Sequence, residues 1–267
     1  MKLAKLTTLL LVACFVANEV VGQKPSPPAK KKSPTAKKSP SAKKTPSPQA
    51  TSKAKSKSPS SLAKLSQPFK GVNLWIDHKR RIVVIDGKVC LRDGPLEMFA
   101  CPRGTKEHES IISLDCKGFQ VHAALLAVGA RSGKPVAFRP KYRAASGTAV
   151  DLIVLWIDKN GKKQRVKAQK WIRNVRTRQK LQQTWVFAGS GFWTDPKTKR
   201  RYYHADSGDL ICVSNFPTAT LDLPVKSTQA NEGLLFEANT KAIPTLDTKV
   251  RLVLVPRLAT IKPRKKK

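Results

Sequence analysis

The stretch Ile82-Val83-Val84-Ile85-Asp86-Gly87-Lys88-Val89-Cys90-Leu91 carries the strongest local fold signal in the chain. Two apolar runs flank an Asp-Gly pair, a pattern typical of a β-hairpin because Gly readily adopts the positive φ angles of a tight turn. A second pattern of this kind runs from Leu152 to Gln169, with Asn160-Gly161 at its centre. The sequence therefore predicts antiparallel hairpins in both halves of the folded region.

Short apolar runs broken by turn residues continue along the chain. They predict strands at 72–76, 96–101, 108–114, 184–188, 210–215, 234–238 and 250–255. One helix is predicted over 119–128, which is rich in Ala and Leu and is followed by Gly129, and a second over 171–181. The expected fold class is therefore α+β, mainly antiparallel β with one or two helices. Two subdomains in place of one domain remain the alternative.

Charge divides the 267 residues into segments. The chain has 52 Lys and Arg against 17 Asp and Glu, a net charge of +35. Residues 24–65 hold 12 Lys and no acid, and residues 262–267 hold five bases and no acid. This balance excludes an ordinary acidic enzyme surface and favours a polyanionic partner. We predict a disordered Lys/Ser/Pro/Ala-rich linker at 23–65, a folded domain at 66–261 and a basic tail at 262–267.

The first 22 residues have the pattern of an export signal. Lys2 and Lys5 precede an apolar run, 6–16, that is too short to span a bilayer. We expect cleavage after Gly22. The alternatives are lipidation of Cys14, because 11–14 is similar to a bacterial lipobox, and an uncleaved anchor. The expected location is the periplasm or the cell envelope.

The linker repeats a Lys-Lys-Ser/Thr-Pro unit that is similar to the tails of linker histones. The repeats begin at Lys31, Lys37 and Lys43. An export signal directly upstream argues against DNA as the native partner, so we expect nucleic acid to bind only non-specifically, through charge. We predict that the linker tethers the domain and contacts anionic envelope polymer or a membrane surface.

Five pieces of the folded region resemble the YdjY-domain family of exported bacterial proteins. The most specific are Gly104-Thr105-Lys106-Glu107-His108-Glu109-Ser110-Ile111 and His122-Ala123-Ala124-Leu125-Leu126. The others are 96–101, 185–190 and 211–216. The resemblance covers about residues 70–256 and implies an exported protein of a family whose biochemical role is unassigned.

His108, Glu109 and His122 are the candidate metal ligands. Two histidines and a carboxylate can bind zinc, and a His-Glu pair can perform acid–base chemistry. In a regular strand, however, His108 and Glu109 would point to opposite faces, and the sequence has no His-Glu-x-x-His motif. Structural packing is the favoured interpretation. A periplasmic metal-dependent or redox enzyme that uses these three residues remains the alternative.

Four cysteines follow the export signal, and an oxidising compartment favours disulfides between them. Cys90 and Cys101 lie on predicted strands that flank the turn at 93–95, so they are the preferred pair. Cys116 and Cys212 pair with each other or remain as buried thiols.

Two basic clusters contain aromatic residues and are candidate anion-binding surfaces. One is a run of seven bases between Arg165 and Lys180, and the other precedes Tyr202. Aromatic rings beside cations suit the stacking of sugars or bases. The predicted anion-binding residues are Lys170, Arg173, Arg176, Arg178, Lys197, Arg200 and Arg201. The alternative is a solvated basic face in a chain that is basic throughout.

These features favour a non-enzymatic exported envelope protein that acts as a binding or structural module on a cationic tether. The chain has no Gly-x-Ser-x-Gly motif, no phosphate-binding Gly-Lys-Ser/Thr loop and no convincing carboxylate pair. The alternatives are the enzyme described above and a nucleic-acid-binding protein.

Overall fold

Short strands dominate the described part of the chain, which comprises residues 65–227 and 233–258 of a computed structural model. The strands are β1 (Leu74–Asp77), β2 (Ile82–Val89), β3 (Met98–Pro102), β4 (Ser110–Leu114), β5 (Ala149–Ile157), β6 (Lys163–Lys167), β7 (Ile172–Asn174), β8 (Trp185–Phe187), β9 (Phe192–Thr194), β10 (Arg201–Tyr203), β11 (Ile211–Cys212), β12 (Leu221–Asp222), β13 (Phe236–Ala238) and β14 (Lys249–Pro256). The helix α1 covers Gly118–Ala127. Single 3₁₀ turns cover Glu107–Glu109, Ala168–Trp171 and His204–Ser207.

The predicted ends of the chain lie outside the described residues. These are the export signal at 1–22 with Cys14, the linker at 23–65 except for its last residue, and the basic tail at 262–267. Within the described ranges, the chain has no helix with the length and apolar character needed to cross a bilayer.

Eight strands form a closed barrel. Their order is β2, β14, β5, β8, β12, β11, β3 and β4, and β4 pairs back onto β2. β1 pairs with β2, and β6 with β5, at the outside of this ring. Closure leaves the eight strands without a free edge, which is the usual solution for a sheet of short strands.

The described chain is mostly β, and its barrel is mixed, so the predicted fold class, α+β with a mainly antiparallel sheet, is wrong; of the one or two predicted helices, one is present. β3 and β4 run parallel, as do β11 and β12, while the other pairs of the barrel are antiparallel. Only seven residues separate β3 from β4. A connection of that length normally joins antiparallel strands, so local patterns could not indicate the parallel pairing.

The predicted hairpin around Asp86-Gly87 is also wrong, because 82–89 forms the single strand β2. Asp86 faces β14, where Arg251 donates to it through Nε at 2.6 Å and Nη2 at 2.9 Å. Gly87 lies beside β4, and a Cβ atom at this position would lie 2.3 Å from the carbonyl oxygen of Ser113. Gly is therefore required here by close packing of two strands and not by a turn.

The second hairpin is confirmed. β5 and β6 pair antiparallel from Ile153↔Lys167 to Ile157↔Lys163. Gly161 has a φ of 74° in the intervening turn, as the Asn-Gly pair predicts.

The predicted helix at 119–128 is confirmed as α1, but the one at 171–181 is wrong. Residues 172–174 form β7, and the chain then turns back so that the amide of Leu181 donates to the carbonyl of Ile172 at 3.0 Å. The side chain of Asn174 holds the turn by accepting from the amides of Arg176 and Thr177, both at 2.9 Å. This local bond competes with helix formation.

One main core joins the strands and α1. The strands contribute alternate residues, such as Val150, Leu152 and Val154 of β5. α1 contributes Val121 and Leu125 to the same core. The helix therefore packs against the barrel, and its polar residue His122 is held beside strand β8.

Candidate anion-binding groove

A groove with a volume of about 600 Å³ lies beside the edge strand β6. Strand β6 and the turn after it form one wall, and residues 180–184 form the other. Its lining residues are Asp151, Arg165, Val166, Lys167, Gln169, Lys170, Lys180, Leu181, Gln182, Thr184 and Arg257. The groove therefore has five basic side chains and a single acidic one.

Local structure explains how the bases reach one surface. β6 pairs with β5 alone in the described chain, and its burial alternates between exposed and half-buried residues. Arg165 and Lys167 share the exposed face because side chains alternate along a strand. The opposite wall is tied to the first by Gln169, whose Nε2 donates to the carbonyl of Gln183 at 3.0 Å. Leu181 is buried between them.

The one carboxylate of the groove is already paired. Arg257 donates to Asp151 through Nε at 2.8 Å and Nη2 at 2.7 Å. The hydrogen bond from Arg257 lowers the pKa of Asp151, so its charge persists and is balanced by the guanidinium. Arg165, Lys167, Lys170 and Lys180 form no ion pair with any acid in the described residues. Four uncompensated cations therefore share one concave surface.

The groove contains only one of the predicted anion-binding residues, Lys170. Arg173 and Arg178 instead bind the carboxylate of Glu237, the first through Nε at 2.5 Å. Arg176 is exposed in the turn after β7. The remaining three predicted residues, Lys197, Arg200 and Arg201, belong to the β9–β10 hairpin and its turn. The predicted set thus divides into the groove, an ion-paired cluster, the exposed turn after β7 and the hairpin.

Sequence reasoning did not select Arg165, Lys167, Lys180 and Arg257. The first three lie in the basic run, where alternation along β6 could have separated the outward-facing bases from the others. Arg257 comes from the end of the described chain, and no local pattern connects it with the groove.

His108, Glu109 and His122 are only partly brought together. The 3₁₀ turn at Glu107–Glu109 replaces the predicted start of β4 and places His108 Nε2 3.8 Å from Glu109 Oε2. His122 Nδ1 instead lies 2.9 Å from the hydroxyl of Tyr203. The described residues contain no group of three His, Cys, Asp or Glu side chains suited to hold a metal ion. Zinc binding by these residues stays a prediction, and their side chains do not meet at one point in the structure.

Glu109 belongs to an ion-pair cluster around Lys106. The ammonium lies 3.3 Å from Glu97 Oε2, 3.2 Å from Glu109 Oε1 and 3.2 Å from Asp209 Oδ1. It also lies 4.5 Å from the centre of the Phe216 ring. Burial disfavours the charged amine, but the carboxylates outweigh this effect and raise the pKa of Lys106 above its usual value. Lys106 therefore stays a cation. Its contacts with Glu97, Glu109 and Phe216 join three of the segments that resemble the YdjY family, which are 96–101, 104–111 and 211–216.

His122 lies in a second polar cluster. Its ring packs edge-on against Phe187, with 4.9 Å between the ring centres. The hydroxyl of Tyr203 donates to the carbonyl of Gly189 at 3.1 Å and lies 3.0 Å from Thr220 Oγ1. Burial lowers the pKa of His122 and raises that of Tyr203 to about 12. Both groups are therefore held neutral around pH 7.

The lowered pKa of His122 predicts a loss of stability in acid. The unfolded chain takes up a proton at higher pH than the native His122 does, so the free energy of unfolding should fall as the pH drops below about 6.5. His122→Gln removes the titrating group. The difference in the free energy of unfolding between this variant and the parent should therefore narrow or reverse in acid. Urea unfolding of both proteins between pH 8 and pH 5 measures this difference, and parallel curves would contradict the assignment.

All four described cysteines are free thiols, so the structure does not form the predicted Cys90–Cys101 bridge. Cys90 lies next to β2, where its amide donates to Ile111 of β4, and Cys101 lies on the other neighbour of β4, opposite Ser113. With a strand between them, the two Cα atoms lie two strand spacings apart, on the order of 10 Å, which exceeds the reach of a disulfide. Burial raises the pKa of all four thiols, that of Cys90 to about 12.

Comparison with known proteins agrees with the resemblance in the sequence. The family model of the YdjY domain matches residues 74–255. No similar protein was found among curated proteins or among solved structures. The match covers nearly the whole described fold, from the start of β1 to the next-to-last residue of β14, and includes the segments that meet at Lys106 and His122. The chain therefore belongs to the YdjY domain family.

Proposed function

We propose that the domain is a non-enzymatic binding module and that an anionic polymer lies in the groove beside β6. The observation that carries the proposal is the presence of Arg165, Lys167, Lys170 and Lys180 on one concave surface whose only carboxylate is paired. Cations without partners attract a polyanion and release its counterions on binding. In this proposal the export signal brings the domain to the cell envelope, and the Lys-rich linker acts as its tether.

An open, edge-strand groove suits a chain-like ligand better than a small one. Sites for small molecules are usually concave, mostly apolar and supplied with a few polar groups. This groove instead is lined mainly by charged and polar side chains, and Leu181 and Val166 are its aliphatic members. An acidic glycan or a polyphosphate can contact several of the cations at once without being enclosed.

Removing three charges from the groove should weaken polyanion binding more than removing three charges elsewhere. The test variant is Lys167→Gln/Lys170→Gln/Lys180→Gln, and the matched control is Lys197→Gln/Lys199→Gln/Arg200→Gln in the β9–β10 turn. Both keep the Lys-rich linker and lose the same charge. We expect the groove variant to bind a size-fractionated heparin oligosaccharide at least about tenfold more weakly, with a salt dependence reduced by about 2 to 3 in log–log slope.

Titration calorimetry at several salt concentrations measures both quantities. The control is expected to retain most of the parent's affinity and slope. Equal losses in the two variants would show that only total charge matters, and the groove would then have no special role. Melting curves of each variant check that the substitutions, all at exposed basic residues, leave the fold intact.

A further inference from the structure

The β9–β10 hairpin exposes a patch of large aromatic side chains. β9 and β10 pair only with each other among the described strands, and Tyr202 lies directly opposite Trp193. Phe192 is 54% exposed, Trp193 47% and Tyr202 46%. Isolated exposed rings are common, but a cluster on a two-stranded ribbon is unusual because such ribbons have little stability of their own. The patch therefore suggests an interaction surface.

The exposed rings lie on both faces of the ribbon. Trp193 and Tyr202 share one face, where their ring centres are 5.4 Å apart. Phe192 precedes Trp193 and points to the other face, where it packs against Tyr203 at 5.2 Å. A rigid polymer on one face would leave the other face in water. Tyr203 is buried against the barrel, so the second face is open only at Phe192. A soft medium can cover Phe192 together with the two rings of the first face.

The turn of the hairpin is strongly basic. It contains the exposed bases Lys197, Lys199 and Arg200, and a fourth, Arg201, follows as the first residue of β10. The only acid is Asp195, whose carboxylate accepts from the amide of Lys197 at 2.8 Å and from Thr198 Oγ1 at 2.6 Å. None of the four bases forms an ion pair with a described acid, and Arg201 lies 4.5 Å above the ring of Phe192. The hairpin thus combines cations with amphipathic rings.

We propose that this hairpin docks on a bilayer surface that contains anionic lipid. Trp and Tyr rings favour the boundary between acyl chains and headgroups, and Lys and Arg bind the lipid phosphates while their aliphatic stems contact the apolar region. The surface is separate from the groove, so the proposal does not depend on polymer binding there.

Vesicle binding by the full chain tests the proposal. The vesicles contain phosphatidylcholine and phosphatidylglycerol in a 3:1 ratio, and pure phosphatidylcholine is the uncharged comparison. The hairpin variant is Trp193→Ser/Tyr202→Ser, and the matched control is Lys167→Gln/Lys180→Gln in the groove. The Lys-rich linker is present in every protein, so its contribution cancels. We expect the hairpin variant to partition into the charged vesicles about tenfold more weakly than the parent. It should also bind more weakly than the groove control, although the control loses two positive charges and the hairpin variant loses none.

Fluorescence gives a second readout that does not depend on comparing affinities. Trp193 is one of five tryptophans, and Trp171 and Trp185 are fully buried. Lipids brominated on the acyl chain should quench part of the parent's emission, and Trp193→Phe should remove that quenched part while it keeps vesicle binding.

Two results would overturn the proposal. One is an unchanged vesicle affinity of the folded hairpin variant together with no quenching of Trp193. The other is a hairpin variant that loses affinity for the heparin oligosaccharide but not for vesicles, which would assign the hairpin to a polymer.

Discussion

Replacing Lys106 with Met is expected to destabilise the protein by about 3 to 5 kcal/mol at pH 7, because it leaves carboxylates buried without their cation. The side chains of Glu97, Glu109 and Asp209 are only 12%, 20% and 9% exposed. Met keeps the aliphatic stem, which packs against Gly208. The loss therefore reports the charge and not a cavity. Urea unfolding of the full chain measures it.

The effect should shrink in acid. Burial and the neighbouring Glu109 already raise the pKa of Glu97, and removal of the ammonium raises it further. A native carboxyl group with a raised pKa binds a proton before the unfolded chain does, so the variant regains stability as the pH falls. Glu97→Gln added to Lys106→Met should recover part of the loss at pH 7 in the same way.

Lys159→Met is the matched control, since this lysine is exposed in the β5–β6 turn. We expect its free energy of unfolding to stay within about 0.5 kcal/mol of the parent. A loss of similar size in both variants, or a Lys106→Met deficit that does not change between pH 7 and pH 5, would contradict the role of the carboxylate cluster.

Gly87→Ala is expected to cost about 3 kcal/mol or more, because it adds a methyl group where β2 and β4 close the barrel. The new Cβ would lie 2.3 Å from the carbonyl oxygen of Ser113 and 3.0 Å from Leu114 Cδ2. The first of these is a backbone atom inside the sheet, so relief requires the two strands to move apart. Urea unfolding gives the loss. Faster exchange of the Cys90 and Asp115 amides, which donate across the seam to the carbonyls of Ile111 and Asp86, locates it there.

Gly161→Ala separates steric contact from backbone conformation. Gly161 has a φ of 74° and no atom within 4 Å of an added Cβ, so this substitution costs only the left-handed conformation, about 1 kcal/mol. Gly87 has an ordinary φ, so Gly87→Ala costs only the close contact with Ser113 and Leu114. The contact would be excluded as a constraint if Gly87→Ala were as stable as Gly161→Ala and amide exchange at the seam were unchanged. That result would mean that β2 and β4 have space for a methyl group between them.

Local patterns predicted the elements of this fold well where neighbours in sequence are also neighbours in space. The β5–β6 hairpin follows from its alternating residues and its Asn-Gly turn, and α1 follows from its Ala- and Leu-rich run and Gly129. The family resemblance at 104–111 and 122–126 was confirmed for the same reason, since each motif is a continuous stretch.

The candidate sites were predicted less well because their members are distant in sequence. The groove takes Lys170 from the predicted set but adds Arg257, which is 87 positions further along the chain. Arg173 and Arg178 were removed from it by Glu237, an acid that no local window includes. Cys90 and Cys101 appeared adjacent only because β4 comes later in the chain than both.

The sequence by itself determined most of the longer strands, the helix α1, the basic balance and the family. The tertiary structure decided how the strands pair and what the special residues do. Asp86-Gly87 has the local pattern of a turn, yet the tertiary structure places it inside a strand, where Gly87 packs against the carbonyl of Ser113 on β4. Likewise, Lys106 becomes the centre of a cluster only when β3 and the start of β11 approach it. Local propensities contribute about 1 kcal/mol or less per residue. Loss of burial or of a buried charge pair in the closed barrel costs several kcal/mol, so the tertiary contacts decide.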